Sequence, residues 1–197
     1  MPKGIPLTPE EQSQRRFEIV GIAKNIFKEK GFQGTAMREI AEAVGMGKSS
    51  LYESFKTKDE ILVFALEEEV LQLIEQSQGI AGLDLPPDIR LKQMMQIYLK
   101  FMQTNNTLFL WLSVEVHGLN AESQKRLQEK RYAYQDIVRS IIEEGISKSF
   151  FRKVNALNAA RLLINSMLSI LYTSRPTGSA EEMWDEAIEI FCNGIKM

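Results

Sequence analysis

The chain has 197 residues, 44% of them apolar, and a formal net charge of −2. This length allows one large or two small domains with a buried core, and the composition is that of an ordinary globular protein. Cys192 is the only cysteine, which excludes an intramolecular disulfide and a cysteine-rich metal site. The polar start does not match a signal peptide, and no run of about 18 apolar residues predicts a membrane span. We therefore expect a cytoplasmic protein whose residues 1–9 form a flexible tail.

The first predicted helix spans residues 17–30. Its apolar residues recur at helical spacing on one face, namely Val20, Ala23, Ile26 and Phe27. Gly31 is expected to end this helix, because a residue just past a helix end often needs a positive φ that glycine adopts at little cost. The buried face predicts that the helix packs across the segment that follows.

Residues 35–55, TAMREIAEAVGMGKSSLYESF, predict two short helices joined by a tight turn. The apolar positions of the first helix are Met37, Ile40, Ala41 and Val44, and those of the second are Leu51 and Phe55. Gly45 lies between the two sets and suits a sharp turn. Thr35 stands where the residue that caps the first helix is expected, with its hydroxyl free to accept a backbone N–H.

This arrangement is typical of a helix-turn-helix, whose second helix enters the DNA major groove by its N-terminal end. Lys48, Ser49 and Ser50 would then lie nearest the base edges. The outward-facing cations of the region are expected to cluster against phosphates, namely Arg38, Lys48, Lys56 and Lys58. The alternative is an ordinary helical hairpin with solvated lysines.

The rest of the chain is predicted to be helical, with breaks near residues 79–87, 103–107, 118–121 and 174–180. A helix that starts at Asp59 would connect the N-terminal region to the second half. Candidate ligand-binding residues in that half are large apolar or polar side chains, namely Met94, Tyr98, Met102, Trp111, Glu115, His117, Tyr134 and Met167. The alternative for each of them is ordinary core packing or, for His117, a surface position.

The residues do not predict an enzyme. The chain has one histidine, one cysteine, no glycine-rich phosphate loop and neither a GxSxG nor an HExxH motif. No nucleophile, base or metal set is therefore assembled, and no cofactor is expected.

Four short motifs in fixed order resemble the TetR family of transcriptional regulators over the first third of the chain. They are IFKEKGF (26–32), TAMREIA (35–41), VGMGKSSLYESF (44–55) and KTKDEIL (56–62). The resemblance implies an all-α homodimer with a three-helix DNA-binding domain (10–58) and a helical domain for ligand binding and dimerisation (59–197). It also implies a pseudo-palindromic double-stranded DNA operator, and more often a repressor than an activator, released by a small-molecule effector. By position, Thr35, Tyr52 and Lys56 resemble phosphate contacts, and Lys48, Ser49 and Ser50 resemble the base-reading set.

Two positions depart from the family pattern. Ala36 stands where the family often has a second threonine, and Gly47 stands where a serine usually caps the recognition helix. Glycine at that cap costs only a few tenths of a kcal/mol relative to serine. One alternative for the second half stays open, in which it dimerises or recruits a protein partner and binds no small effector.

Overall fold

The computed structural model describes residues 7–106 and 119–196. The described residues form eight α-helices and, apart from one isolated bridge between Phe151 and Lys196, no β-structure. The helices are α1 (Pro9–Lys30), α2 (Met37–Val44), α3 (Lys48–Ser54), α4 (Lys58–Ala81), α5 (Pro87–Thr104), α6 (Ala121–Ser147), α7 (Ala156–Leu171) and α8 (Ala180–Ile195). The predicted all-α fold class is confirmed.

The helices belong to two compact units. Among the described residues, the first unit comprises 7–68 and 119–127, and the second comprises 69–106 and 128–196. Helices α4 and α6 each contribute residues to both units. The first unit extends past residue 58 because the apolar face of early α4 is part of its core, through Ile61, Leu62, Ala65 and Leu66.

The core of the first unit is built from the apolar faces of α1 to α4. Five residues that helical spacing assigned to the interior are at most 1% exposed, namely Ala23, Phe27, Ile40, Leu51 and Phe55. Ile26, Met37 and Val44, assigned in the same way, are partly buried. The Phe27 ring meets the Phe32 ring edge-on at 5.0 Å, a favoured geometry for an aromatic pair. This contact holds the turn after α1 against the core.

Three helix starts differ from the sequence prediction. Helix α1 begins at Pro9, where Thr8 accepts the Glu11 N–H at 3.2 Å and Glu11 accepts the Thr8 N–H at 2.7 Å, so residues 8 and 9 are ordered in a capping box. Helix α4 begins one residue before Asp59, because the Thr57 hydroxyl accepts the Glu60 N–H at 3.2 Å. Residues 1–6 of the expected tail lie outside the described residues.

The third difference concerns Thr35, whose predicted role as helix cap was wrong. The cap residue of α2 is Ala36, which has no side-chain acceptor, and its N–H donates to Glu39 at 2.8 Å. Thr35 is 3% exposed, and its hydroxyl donates to the Gly31 carbonyl at 2.8 Å. The chain turns so closely after Gly31 that the hydroxyl bonds backward across the turn and not forward into α2.

The second unit is organised around α5, which packs against both α7 and α8. Trp184 of α8 is fully buried, and its indole N–H donates to the Met95 carbonyl at 2.9 Å. The Arg90 guanidinium is 4% exposed and is held by Glu144 at 2.7 Å and by the Ala81 carbonyl at 2.7 Å. These bonds fix the start of α5 within the unit.

Candidate nucleic-acid interface and effector site

The turn between α2 and α3 has the geometry that the glycine predicted. Gly45 is left-handed, with φ 74° and ψ 26°, and its N–H donates back to the end of α2. Met46 N–H also donates to the Ala41 carbonyl at 3.0 Å, so the last carbonyls of α2 are satisfied as the chain reverses. A side chain with a Cβ at residue 45 would strain this conformation.

Helix α3 presents one buried and one outward side. Leu51 and Phe55 are at most 1% exposed and hold the helix on the core. Lys48 and Ser49 are exposed, and Ser50 and Tyr52 are half-buried. Gly47 precedes the helix in an extended conformation with no side-chain cap, and a Cβ at this position would lie no closer than 4.0 Å to a neighbour, the Ser49 Oγ.

Lysines at the two ends of α3 differ in what they contact. The Lys48 ammonium lies 5.7 Å from the centroid of the Tyr52 ring. The Lys56 side chain is exposed, and its ammonium donates one hydrogen bond, to the Tyr52 carbonyl at 2.9 Å. Both ammonium groups are placed where a phosphate oxygen could replace or join their present contacts, which fits a DNA-facing surface.

Lys58 is directed into the protein. Its ammonium donates to the carbonyls of Phe32 at 2.8 Å, Gln33 at 3.3 Å and Thr35 at 3.4 Å, and it lies 4.6 Å from the centroid of the Phe32 ring. Three acceptors match the three N–H groups of an ammonium. Without DNA, Lys58 therefore holds the turn before α2, and its phosphate contact stays a prediction. The Thr35 side chain is buried, and its phosphate contact likewise stays a prediction.

Arg38 lies on the outward side of α2. Its guanidinium pairs with Glu42 at 2.8 Å, and the two side chains are 79% and 62% exposed. An exposed pair of this kind is worth little. The guanidinium can therefore exchange the carboxylate for a phosphate at small cost.

Arg16 supports α3 from behind, and sequence reasoning did not single it out. Its guanidinium carbon lies 4.6 Å from the ring centroid of Phe55 and 4.3 Å from that of Phe64. Burial, with the nearby Arg126 as a second cause, lowers the pKa of Arg16. In the sequence, the only signal for this location of Arg16 is its helical spacing relative to the buried residues of α1.

The second unit buries an aromatic cluster that we call the tyrosine stack, formed by Tyr98, Tyr134 and Trp184. The Tyr98 and Tyr134 rings lie 5.1 Å apart with an interplanar angle of 16°, and Trp184 lies 6.0 Å from Tyr98. Burial raises the pKa of Tyr98 to about 12 and holds that of Tyr134 well above its usual value. Both hydroxyls are therefore protonated at neutral pH and able to donate hydrogen bonds.

The remaining effector candidates divide into two groups. Met94, Met102 and Met167 are at most 3% exposed. Trp111, Glu115 and His117 lie outside the described residues. Tyr98 and Tyr134 were among the candidates and meet in the stack, whereas Trp184 was not among them.

The fold and the α2–α3 geometry define a helix-turn-helix DNA-binding protein with a helical second unit. A model of bacterial regulatory proteins of the tetR family matches residues 19–63, and a model of the tetracyclin repressor-like C-terminal domain matches residues 84–195. The chain therefore belongs to the TetR family of bacterial regulators. It is a DNA-binding transcriptional regulator and not an enzyme.

Known proteins resemble this chain over nearly its full length. The transcriptional repressor KstR2 of Mycolicibacterium smegmatis is 24% identical, over 96% of this chain and 95% of its own. The solved structure of FadR from Bacillus subtilis with stearoyl-CoA is 18% identical and has a TM-score of 0.75, covering 91% of this chain and 98% of that one. That of AibR with isovaleryl coenzyme A and operator DNA is 21% identical and has a TM-score of 0.69, with coverages of 89% and 97%.

None of the helices in the described parts of the chain is both long enough and apolar enough to cross a membrane.

Proposed function

We propose that this protein is a cytoplasmic homodimeric repressor that binds a pseudo-palindromic operator through α3 and leaves it when a small effector binds. The DNA contact is proposed because α3 and the residue after it have one buried and one exposed side. Leu51 and Phe55 are buried, while Lys48 and Ser49 are exposed. The base-reading residues would be Lys48, Ser49 and Ser50. Tyr52, Lys56 and Arg38 would contact phosphates.

The functional boundary is proposed at residue 58, with DNA binding by residues 10–58 and regulation by residues 59–197. Helix α4 is continuous from Lys58 to Ala81 and contributes to both units. We propose that effector binding displaces α4 and so moves the two recognition helices of the dimer out of register with successive major grooves.

The proposed dimer interface lies on α7 and α8. Leu162 is 68% exposed and Ile190 is 67% exposed, which is unusual for two large apolar side chains on adjoining helices. A two-fold mate would cover both. Sedimentation of the Leu162→Asp variant should give a monomer, while the exposed-loop variant Leu83→Asp should remain dimeric.

For the effector we propose a coenzyme A thioester with an apolar acyl group. Two family members of similar fold were solved with stearoyl-CoA and with isovaleryl coenzyme A. The buried methionines of this chain suit an apolar guest, because unbranched thioether side chains rearrange readily around different shapes.

Fluorescence anisotropy with DNA from upstream of the protein's own gene tests the proposal, beside a scrambled duplex and at two salt concentrations. Specific binding should weaken with salt. Lys48→Ala should reduce the affinity for the upstream duplex relative to the scrambled one, and Lys56→Ala should reduce the slope of log K against log salt by about 0.9. Lys100→Ala removes an exposed lysine of α5 and should change neither. Equal binding by the wild type and Lys48→Ala would contradict the assignment of α3.

Titrating decanoyl-CoA into the protein–DNA complex tests the effector. A loss of anisotropy supports an acyl thioester. An unchanged signal, together with no binding of decanoyl-CoA to the free protein, would favour the alternative in which the second unit serves a protein partner.

A further inference from the structure

The hydroxyl of Tyr134 is a buried donor that the described protein leaves unused. Tyr134 is 4% exposed, and its hydroxyl oxygen has no hydrogen-bond partner among the described residues. Buried polar atoms are nearly always paired, so an orphan of this kind requires an explanation. Three arginine Nε atoms also lack a hydrogen bond among the described residues, but their guanidinium groups have other contacts. Arg90 and Arg139 form ion pairs, and Arg16 lies over two aromatic rings.

The groups around this hydroxyl limit what could pair with it. Tyr98 covers one face of the Tyr134 ring, and the indole N–H of Trp184 is already donated to the Met95 carbonyl. Two charged pairs of this unit are satisfied by each other, Arg90 with Glu144 and Lys196 with Asp88, both at 2.7 Å. The stack therefore offers a neutral donor in an apolar setting.

A neutral hydrogen-bond acceptor is the chemical class that fits this donor. A carboxylate buried there would lose its hydration without gaining a paired cation, which is unfavourable. A carbonyl oxygen carries no net charge, and one hydrogen bond from the protein replaces the hydrogen bond to water that it loses on burial. A thioester carbonyl also continues directly into an alkyl chain, which can lie against aromatic and methionine side chains.

We infer that the Tyr134 hydroxyl donates a hydrogen bond to the thioester carbonyl oxygen of the effector. This inference rests on the acyl thioester of the proposed function and adds the residue and the atom that recognise it. Tyr134 thereby selects thioesters over ligands that present only a hydrocarbon at that point.

The test compares two ligands that differ in one oxygen atom, decanoyl-CoA and the thioether S-decyl-CoA. Calorimetric titration of the wild type should give about tenfold tighter binding of decanoyl-CoA. In Tyr134→Phe the ratio should fall to about one, because the substitution removes only the hydroxyl. Tyr132→Phe removes an exposed hydroxyl of the same helix, one bonded to Gln128, and should keep the wild-type ratio.

The ligand-free protein supplies an independent readout. Tyr134→Phe should melt at the same or a higher temperature than the wild type, because it removes an unpaired buried polar atom. A clear fall would mean that the hydroxyl is already paired in the protein and would overturn the inference.

Failure of the inference and failure of the proposed effector give different results. Equal binding of both ligands by the wild type, or an unchanged ratio in Tyr134→Phe, overturns the role of Tyr134 and leaves the acyl thioester as effector. Absence of binding for both ligands removes the effector class and the inference with it.

Discussion

Arg126 of α6 and Glu67 of α4 form a two-point ion pair, although 59 residues separate them in the sequence. The Arg126 Nε donates to one carboxylate oxygen at 2.8 Å, and its terminal nitrogen contacts the other. The Glu67 side chain is 8% exposed and that of Arg126 is 42% exposed. Planar two-point pairing suits arginine and ties the start of α6 to α4 within the first unit.

Replacement of Arg126 by alanine should lower the free energy of unfolding by about 1–3 kcal/mol, because the buried Glu67 carboxylate loses its main partner. Urea denaturation at fixed protein concentration measures this change. Arg131→Ala removes an exposed guanidinium of the same helix and should cost less than about 0.5 kcal/mol. The double variant Glu67→Gln/Arg126→Gln should cost less than the sum of its single changes, and strict additivity would show that the pair contributes nothing.

Lys56 and Lys58 are two residues apart, yet their replacement should affect different properties. Lys58→Ala removes three hydrogen bonds to backbone carbonyls and should destabilise the first unit by about 1–3 kcal/mol. Lys56→Ala should leave stability within about 0.5 kcal/mol and weaken operator binding. Thermal unfolding and anisotropy measured on the same samples separate the two effects. Loss of DNA affinity in Lys58→Ala without loss of stability would support the predicted phosphate contact of Lys58.

Gly145 of α6 should not tolerate a side chain. A Cβ there would lie 2.2 Å and 2.5 Å from two carbons of the Phe151 ring, and Phe151 is only 1% exposed. Gly145→Ala should therefore destabilise the protein by about 1–3 kcal/mol through overpacking. Gly79→Ala provides the control, since it adds a methyl group in open space on α4 and should stabilise the protein by up to about 1 kcal/mol. Calorimetric melting temperatures distinguish these outcomes, and equal shifts in both variants would contradict the close contact.

Stability should fall in alkaline solution because of the tyrosine stack. Burial raises the pKa of Tyr98 to about 12, whereas an unfolded tyrosine ionises near 10. The folded state thus holds a proton that the unfolded state releases. The contribution of the protonated Tyr98 to the free energy of unfolding is complete below pH of about 10. It is lost between about pH 10 and 12, by up to about 1.4 kcal/mol per pH unit.

Urea denaturation between pH 9 and 11 tests this dependence. Tyr98→Phe should flatten the decline in unfolding free energy above pH of about 10, and Tyr132→Phe should not. A decline of equal slope in wild type and Tyr98→Phe would mean that other groups cause it.

The sequence predicted those parts of the site that depend on neighbours along the chain. Periodicity assigned Leu51 and Phe55 to the interior and Lys48 to the surface, as the structure has them. Gly45 marked the turn correctly. The cap of α2 was misassigned to Thr35, and the bonds of Lys58 to backbone carbonyls were not foreseen, because residue type and spacing do not reveal which carbonyl a polar side chain will reach.

By itself, then, the sequence determined the helices of the first unit, the left-handed turn at Gly45 and the outward face of α3, because hydrogen bonding and side-chain periodicity act over four or five residues. The tertiary structure decided the pairing of Arg126 with Glu67 and the stacking of Tyr98 on Tyr134. These contacts join residues whose approach depends on how whole helices pack. Local propensity carries no information about that packing. The lack of a hydrogen-bond partner for the Tyr134 hydroxyl among the described residues can therefore be recognised only in the packed structure.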